Sequence, residues 1–189
     1  MGYQAGLAVT TGIHNTIVGS RAGDAFTDAD FNTAIGANAL TGDTQGSRSV
    51  AIGRGALAVQ NFSSATDSNN TAVGFGAGVS VTTGIENTLI GGNAGAALTD
   101  ADRNTAIGYQ ALTTDTQGSK STAIGYNALS VQNFSSATDA HNTAVGFEAG
   151  ENVTTGVKNT IIGSLAGDVL TDADFNVAVG YGALSEDIK

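Results

Sequence analysis

Asn104-Thr105-Ala106-Ile107-Gly108-Tyr109-Gln110-Ala111-Leu112 is followed by Ser121-Thr122-Ala123-Ile124-Gly125-Tyr126-Asn127-Ala128-Leu129, the same phrase in a second wording. Aligned on its closing glycine, the phrase ends at Gly2, Gly19, Gly36, Gly53, Gly74, Gly91, Gly108, Gly125, Gly146, Gly163 and Gly180. The interval is 17 residues throughout, except for 21 between Gly53 and Gly74 and again between Gly125 and Gly146. Four intervals span 72 residues, and a shift of 72 lays Leu40 to Gly74 over Leu112 to Gly146 with 27 of 35 positions identical. Repetition on this scale describes an array of stacked units rather than one closed globule.

A helical repeat needs about 34 residues, which is two of these units. The local pattern argues against it. Glycine recurs too often for helices, and the 21-residue interval would throw helical pairs out of register. Thr33 and Ile35 share one face of an extended segment while Ala34 points the other way, and both sides are apolar. A strand of that kind is expected to be buried on both faces. The reading that unites these features is an all-β parallel β-solenoid of about ten coils of 17 residues, two of them lengthened to 21. Ten coils at one strand spacing each make a rod about 48 Å long.

Columns of like residues follow. Asn15, Asn32, Asn70, Asn87, Asn104, Asn142, Asn159 and Asn176, with Ser49 and Ser121, precede the strand and are expected to stack as an amide ladder. The next position is Thr, or its near-isostere Val at Val50 and Val177, which suits a half-buried site. Alanine fills every place three residues after the glycine, from Ala5 to Ala183, as a tight corner would require. If Thr and Ile face inward, then Ala34, Ala51 and Ala106, with Ile17, Leu89 and Ile161, form an outward apolar stripe. A stripe of that length is normally covered by a partner.

The solenoid is read as one domain over residues 1–184, followed by an acidic tail at 185–189. Met1-Gly2-Tyr3-Gln4 is the second half of a phrase, so the chain reads as a piece of a longer fibre. Charged residues make up 13% and the net charge is -10, which argues against nucleic acid or an anionic membrane as partner, since both need clustered Lys and Arg. Cysteine is absent, which removes disulfides, thiolate nucleophiles and cysteine-bound zinc. No apolar run approaches the roughly twenty residues of a membrane helix, and the first residues carry no signal-peptide pattern.

The phrases at Asn104 to Leu112 and Ser121 to Leu129 resemble the repeats of bacteriophage tail fibres and related phage structural proteins. Ser49-Val50-Ala51-Ile52-Gly53 is similar to the repeats of trimeric autotransporter adhesin heads. The resemblance covers nearly the whole chain. It implies a left-handed parallel β-roll, a side-by-side homotrimer, a place in a virion tail fibre or on a cell surface, and a role in attachment to a surface receptor or glycan. The adhesin unit is typically shorter and has Val where Thr is usual here, which favours the phage fibre.

Against that scaffold, no enzyme activity and no cofactor is expected. Tyr109 and Tyr126, among the aromatics that follow the motif glycine, are candidates for stacking on sugar rings, with packing between coils as the alternative. Phe62 and Phe134 lie within the two four-residue insertions, which are expected to project as loops from one edge, and are candidates for a ligand edge. Asp28, Asp30 and Asn32 open like a calcium loop, as do Asp100, Asp102, Asn104 and Asp172, Asp174, Asn176. The glycine and distant glutamate of such a loop are missing, so no metal is assigned. His14 and His141, read as non-equivalent, have no Cys or His near them and are expected at the surface. Asp43, Asp67, Asp115 and Asp139 sit in repeated places, whereas an active site usually breaks a repeat, and no break stands out. Two further readings are a stand-alone carbohydrate-binding module and an ice-binding rod. The latter rests on a column formed by Thr10, Thr27, Thr44, Thr82, Thr99, Thr116, Thr154 and Thr171, interrupted by Asn61 and Asn133.

Overall fold

The computed structural model describes residues 2–185, so the acidic tail from 186 onward lies outside the described residues. Fourteen short strands follow one another: β1 (Thr16–Val18), β2 (Thr33–Ile35), β3 (Gly46–Ser47), β4 (Val50–Ile52), β5 (Thr66–Asp67), β6 (Thr71–Val73), β7 (Thr88–Ile90), β8 (Thr105–Ile107), β9 (Gly118–Ser119), β10 (Thr122–Ile124), β11 (Thr138–Asp139), β12 (Thr143–Val145), β13 (Thr160–Ile162) and β14 (Val177–Val179). No helix occurs among the described residues. The ten three-residue motif strands form one parallel sheet in chain order. Register is that of the repeat: Thr16 pairs Thr33, Ala34 pairs Ala51, and Ile107 pairs Ile124. The chain is a parallel β-solenoid with one sheet strand per turn.

Each coil turns at fixed points where φ is positive. The motif glycine is one, at +133° in Gly36 and +135° in Gly108. Leu40, Leu57, Leu112 and Leu129 also hold positive φ, between 49° and 53°. That conformation is unfavourable for a bulky residue; these four side chains are fully buried, while Leu184 holds the same turn at 54° with its side chain 49% exposed.

The interior is narrow. The middle residue of each strand points inward: Ala34, Ala51, Ala72, Leu89, Ala106, Ala123, Ala144 and Ile161 have no exposed surface. This corrects the expected parity. The alanine column and its larger members are the core, while Thr and Ile or Val of the same strands face outward. The strands are therefore buried on one face only within a single chain.

Volume complementarity explains the choice of residue along that core. Coils with Leu40 or Leu112 carry alanine at the next strand centre. Leu89 replaces the alanine of the neighbouring strand centres, Ala72 and Ala106, and lies against Gly78 and Gly95, which stand in the corner column that Leu57 and Leu112 fill. A Cβ at Gly78 would come within 2.6 Å of Leu89 Cδ1, and one at Gly95 within 2.7 Å of its Cδ2. One leucine thus fills the space vacated by two glycines, keeping interior density even.

The asparagine column is a ladder, but mostly of amide to backbone. Asn104 donates from Nδ2 to the Gly118 carbonyl and accepts the Ser121 N–H on Oδ1, both at 2.9 Å. Its own N–H is accepted by Asn87 Oδ1 at 2.9 Å. Direct amide–amide bonds occur in only part of the column, as from Asn176 to Asn159 at 3.0 Å. The column satisfies buried backbone groups that the short strands leave over.

Candidate functional site

The outward face of the ten-stranded sheet forms a continuous regular surface. It presents two columns, one of Thr or Val and one of Ile or Val, running from Thr16 and Val18 to Val177 and Val179. Ile52, Ile90 and Ile162 are 37%, 37% and 41% exposed. The apolar stripe expected from the sequence exists on this opposite parity. No charged residue falls within any of these ten strands.

Around the glycine corner stands an aromatic row. Tyr109, Tyr126 and Phe147 stack on one another along the rod, with centroids 5.8 and 5.1 Å apart and rings nearly parallel. They are about half exposed. Their faces are largely taken up by one another, which leaves ring edges for a ligand. Phe75 stands apart from this stack with the Arg54 guanidinium 5.5 Å from its centroid.

Phe62 and Phe134 are not at a projecting edge. Both are buried, at 6% exposure. Phe62 lies over Gly46, where a Cβ would come within 2.8 Å of its ring. The exposed part of each insertion is the run Ser63 to Ala65 and its counterpart Ser135 to Ala137. The first residues of the insertion fold back and close the coil, with the ring seated over the glycine of the preceding coil.

The aspartate pairs serve the turns. Asp30, Asp102 and Asp174 each accept a backbone N–H from the preceding coil on Oδ1, from Ile13, Ile85 and Val157, at 2.7 to 2.8 Å. The Asp28, Asp100 and Asp172 carboxylates lie 3.1 to 3.2 Å from the hydroxyls of Thr27, Thr99 and Thr171. Among the described residues no group of three His, Cys, Asp or Glu could hold a metal. His14 and His141 share one corner position, five residues before a motif glycine, with φ of 59° and 51°. Both are exposed, and His14 stacks on Phe31 at 5.0 Å. The threonine column running from Thr10 is engaged with backbone: Thr27, Thr99 and Thr154 donate their hydroxyls to carbonyls of the next coil at 3.0 to 3.1 Å.

Asp43 and Asp115 are a different matter, since both are completely buried. Asp43 accepts from Gly46 N–H at 2.9 Å and Gln60 Nε2 at 2.6 Å. Gln60 is oriented in turn by Asn70, whose Nδ2 donates to Oε1 at 2.9 Å. Asp115, Gln132 and Asn142 repeat the chain one super-repeat on. Burial pushes both carboxyls above the usual value of 3.8, with the Gln and backbone hydrogen bonds opposing it. A raised folded pKa means that the fold holds these protons more tightly than the unfolded chain does. The associated stability is present below 3.8 and is lost as pH rises through the folded value. The melting temperature is therefore expected to fall as pH rises from about 4 towards neutrality. Replacing both residues in Asp43→Asn/Asp115→Asn should flatten the profile, as followed by circular dichroism. An unchanged slope in the double variant would assign the effect elsewhere.

Among the described residues, ion pairs of Arg48 with Asp67, Arg103 with Glu86 and Lys120 with Asp139 join adjacent coils near the surface. Such pairs contribute little each. No helix among the described residues is long and apolar enough to cross a membrane. No family model, curated protein or solved structure matches the chain.

Proposed function

We propose that this solenoid is a non-enzymatic structural segment of a trimeric fibre or adhesin, of the kind found in phage tail fibres, that carries or forms a contact with a cell surface. The observation behind this reading is the outward Thr and Ile face. It is uncharged, continuous over ten strands and lined by partly exposed isoleucine and valine. With the aromatic row beside it, the surface is about 48 Å long and about 15 Å wide, or roughly 700 Å², close to what one partner contributes to a standard interface. Parallel rods meeting along one such face close most simply as a cyclic oligomer. The three-fold symmetry, left-handed coil and virion or cell-surface location come from the resemblance of the repeats.

Sedimentation equilibrium tests the reading. A mass near three times the 18.7 kDa chain is expected. The variant Ile90→Lys/Ile107→Lys places two ammonium groups on that face and should fall to one chain while its circular dichroism stays that of the folded rod. A monomeric unsubstituted chain would sink the fibre reading. It would also favour a stand-alone carbohydrate-binding module, for which the aromatic row is the relevant surface.

A further inference from the structure

One group of the differences between the two super-repeats gathers at a single place on the surface. Of the eight differences between 40–74 and 112–146, three fall at 54, 55 and 58, where Arg54, Gly55 and Ala58 stand in place of Tyr126, Asn127 and Ser130. Stacking brings these together with residues of the next coils around a cleft of about 270 Å³. Its floor is Gly55 and Gly76, consecutive in the column two residues after the motif glycine, and Asn38 and Asn93 close its ends on the flanking coils. Arg54 and Phe75 form one wall, and Ala58 and Val79 the other.

The glycines are not demanded by the backbone. The same column holds positive φ with side chains present, at 59° in Asn38, 56° in Gln110, 53° in Asn127 and 54° in Glu148. A Cβ at Gly55 would meet nothing nearer than Val79 Cγ2 at 4.0 Å. What glycine provides here is open space. In the second super-repeat that space is filled, with Asn127 Nδ2 donating to Glu151 Oε1 at 3.3 Å.

The lining selects a chemistry. Arg54 has no carboxylate partner among the described residues, whereas Arg48, Arg103 and Lys120 each have one. A guanidinium held against an aromatic ring presents its fork to a carboxylate. The two asparagine amides offer both donors and acceptors suited to hydroxyl groups. Asn93 reaches over the floor, since a Cβ at Gly76 would lie 2.7 Å from its Oδ1. The opposite wall is aliphatic and fits the C–H face of a sugar ring. A neutral sugar would leave Arg54 without a counter-charge, and a simple carboxylate would leave both amides unused. The cleft is smaller than a drug-sized pocket, so it admits one ring.

We propose that the cleft between Arg54, Phe75, Asn38 and Asn93 binds one carboxylated monosaccharide unit, as carried by an acidic surface polysaccharide. The fibre reading supplies only the source of that ligand. Each chain holds the whole cleft, so binding does not require the trimer.

Ligand-observed NMR and calorimetry with D-glucuronate, D-glucose and acetate test it. Glucuronate should bind with a Kd on the order of 1 mM, as a single ring of this size allows. Glucose and acetate should bind at least about tenfold more weakly, and Arg54→Gln should cost glucuronate a similar factor. Gly55→Gln copies a side chain that this column already accepts at Gln110, and should block binding while the chain stays folded, its melting temperature lowered by only a few degrees by a side chain at φ +72°. Lys158→Gln, which removes a cation over the Phe175 ring in the other super-repeat, should bind as the parent does. The proposal is overturned by absent glucuronate binding, by glucose or acetate matching it, by undiminished binding in Arg54→Gln or Gly55→Gln, or by loss of binding in Lys158→Gln. Glucuronate binding by a monomeric chain would remove the fibre reading and keep the cleft, while a trimer that ignores glucuronate would do the reverse.

Discussion

Gly36→Ala is expected to abolish the folded rod, while Gly180→Ala, the same substitution at the same column, leaves it folded. At Gly36 the φ is +133°, and a Cβ would lie 2.5 Å from the Gly53 carbonyl oxygen and 2.6 Å from its carbon. Those atoms belong to the backbone of the next coil, which cannot step aside without breaking the bond from Gly53 N–H to the Ile35 carbonyl at 2.7 Å. The strain therefore spreads into the strand pairing on that side. A steric conflict with fixed backbone belongs to the rare class of substitutions that cost more than about 4 kcal/mol, against a total of about 5–15 kcal/mol for an ordinary domain. Gly180 has φ +122° but meets nothing within 4 Å, because no described coil follows it. Only its backbone conformation is penalised, at about 1–3 kcal/mol. Circular dichroism melts and soluble yield of the two variants check this. Equal melting temperatures would mean that stacking of the glycine column is not what excludes a side chain.

That contrast also marks how much of the fold could be read from residues alone. The interval between glycines gives the coil length, the strand and its register, because a parallel stack of identical units aligns like with like. Thr16 pairing Thr33 is the direct result. Parity was not legible from periodicity, since alanine and isoleucine are both apolar and alternate in either sense. Volume would have settled it. Leu89 occurs at a strand centre in the coils whose corner column has Gly78 and Gly95 in place of leucine, a compensation that only makes sense if all three share the interior. Phe62 was misplaced for a related reason: an insertion suggests an outward loop, yet Gly46 one coil away makes room for the ring. The cleft at Gly55 could not be seen before stacking, because Asn38, Arg54, Phe75 and Asn93 are far apart in the chain and meet only through the coil repeat.

Asn104→Asp is expected to be the most damaging substitution that changes no shape. Asn104 is 1% exposed and sits mid-column, where its Nδ2 donates to the Gly118 carbonyl and its Oδ1 accepts the Ser121 N–H. A carboxylate keeps the second bond and turns the first into a repulsion between two oxygens. A buried charge without a partner costs about 3–5 kcal/mol. Protonation would restore a donor towards Gly118, so the folded pKa of the new carboxyl is raised, and the lost stability returns as pH falls below it. Asn176→Asp supplies the comparison at the end of the column. Asn176 is only partly buried, and its Nδ2 donates to Asn159 Oδ1 at 3.0 Å and the Asp174 carbonyl at 3.2 Å. Water can take over there, and a loss of about 1 kcal/mol is expected. Since each coil contacts mainly its neighbours, a defect at Asn104 cuts the rod into two shorter stacks, whereas one at Asn176 frays an end. Thermal melts at pH about 7 and about 4 separate the two cases. A neutral-pH melting temperature for Asn104→Asp equal to that of the parent chain would show that the amide column is a consequence of the stacking rather than one of its causes.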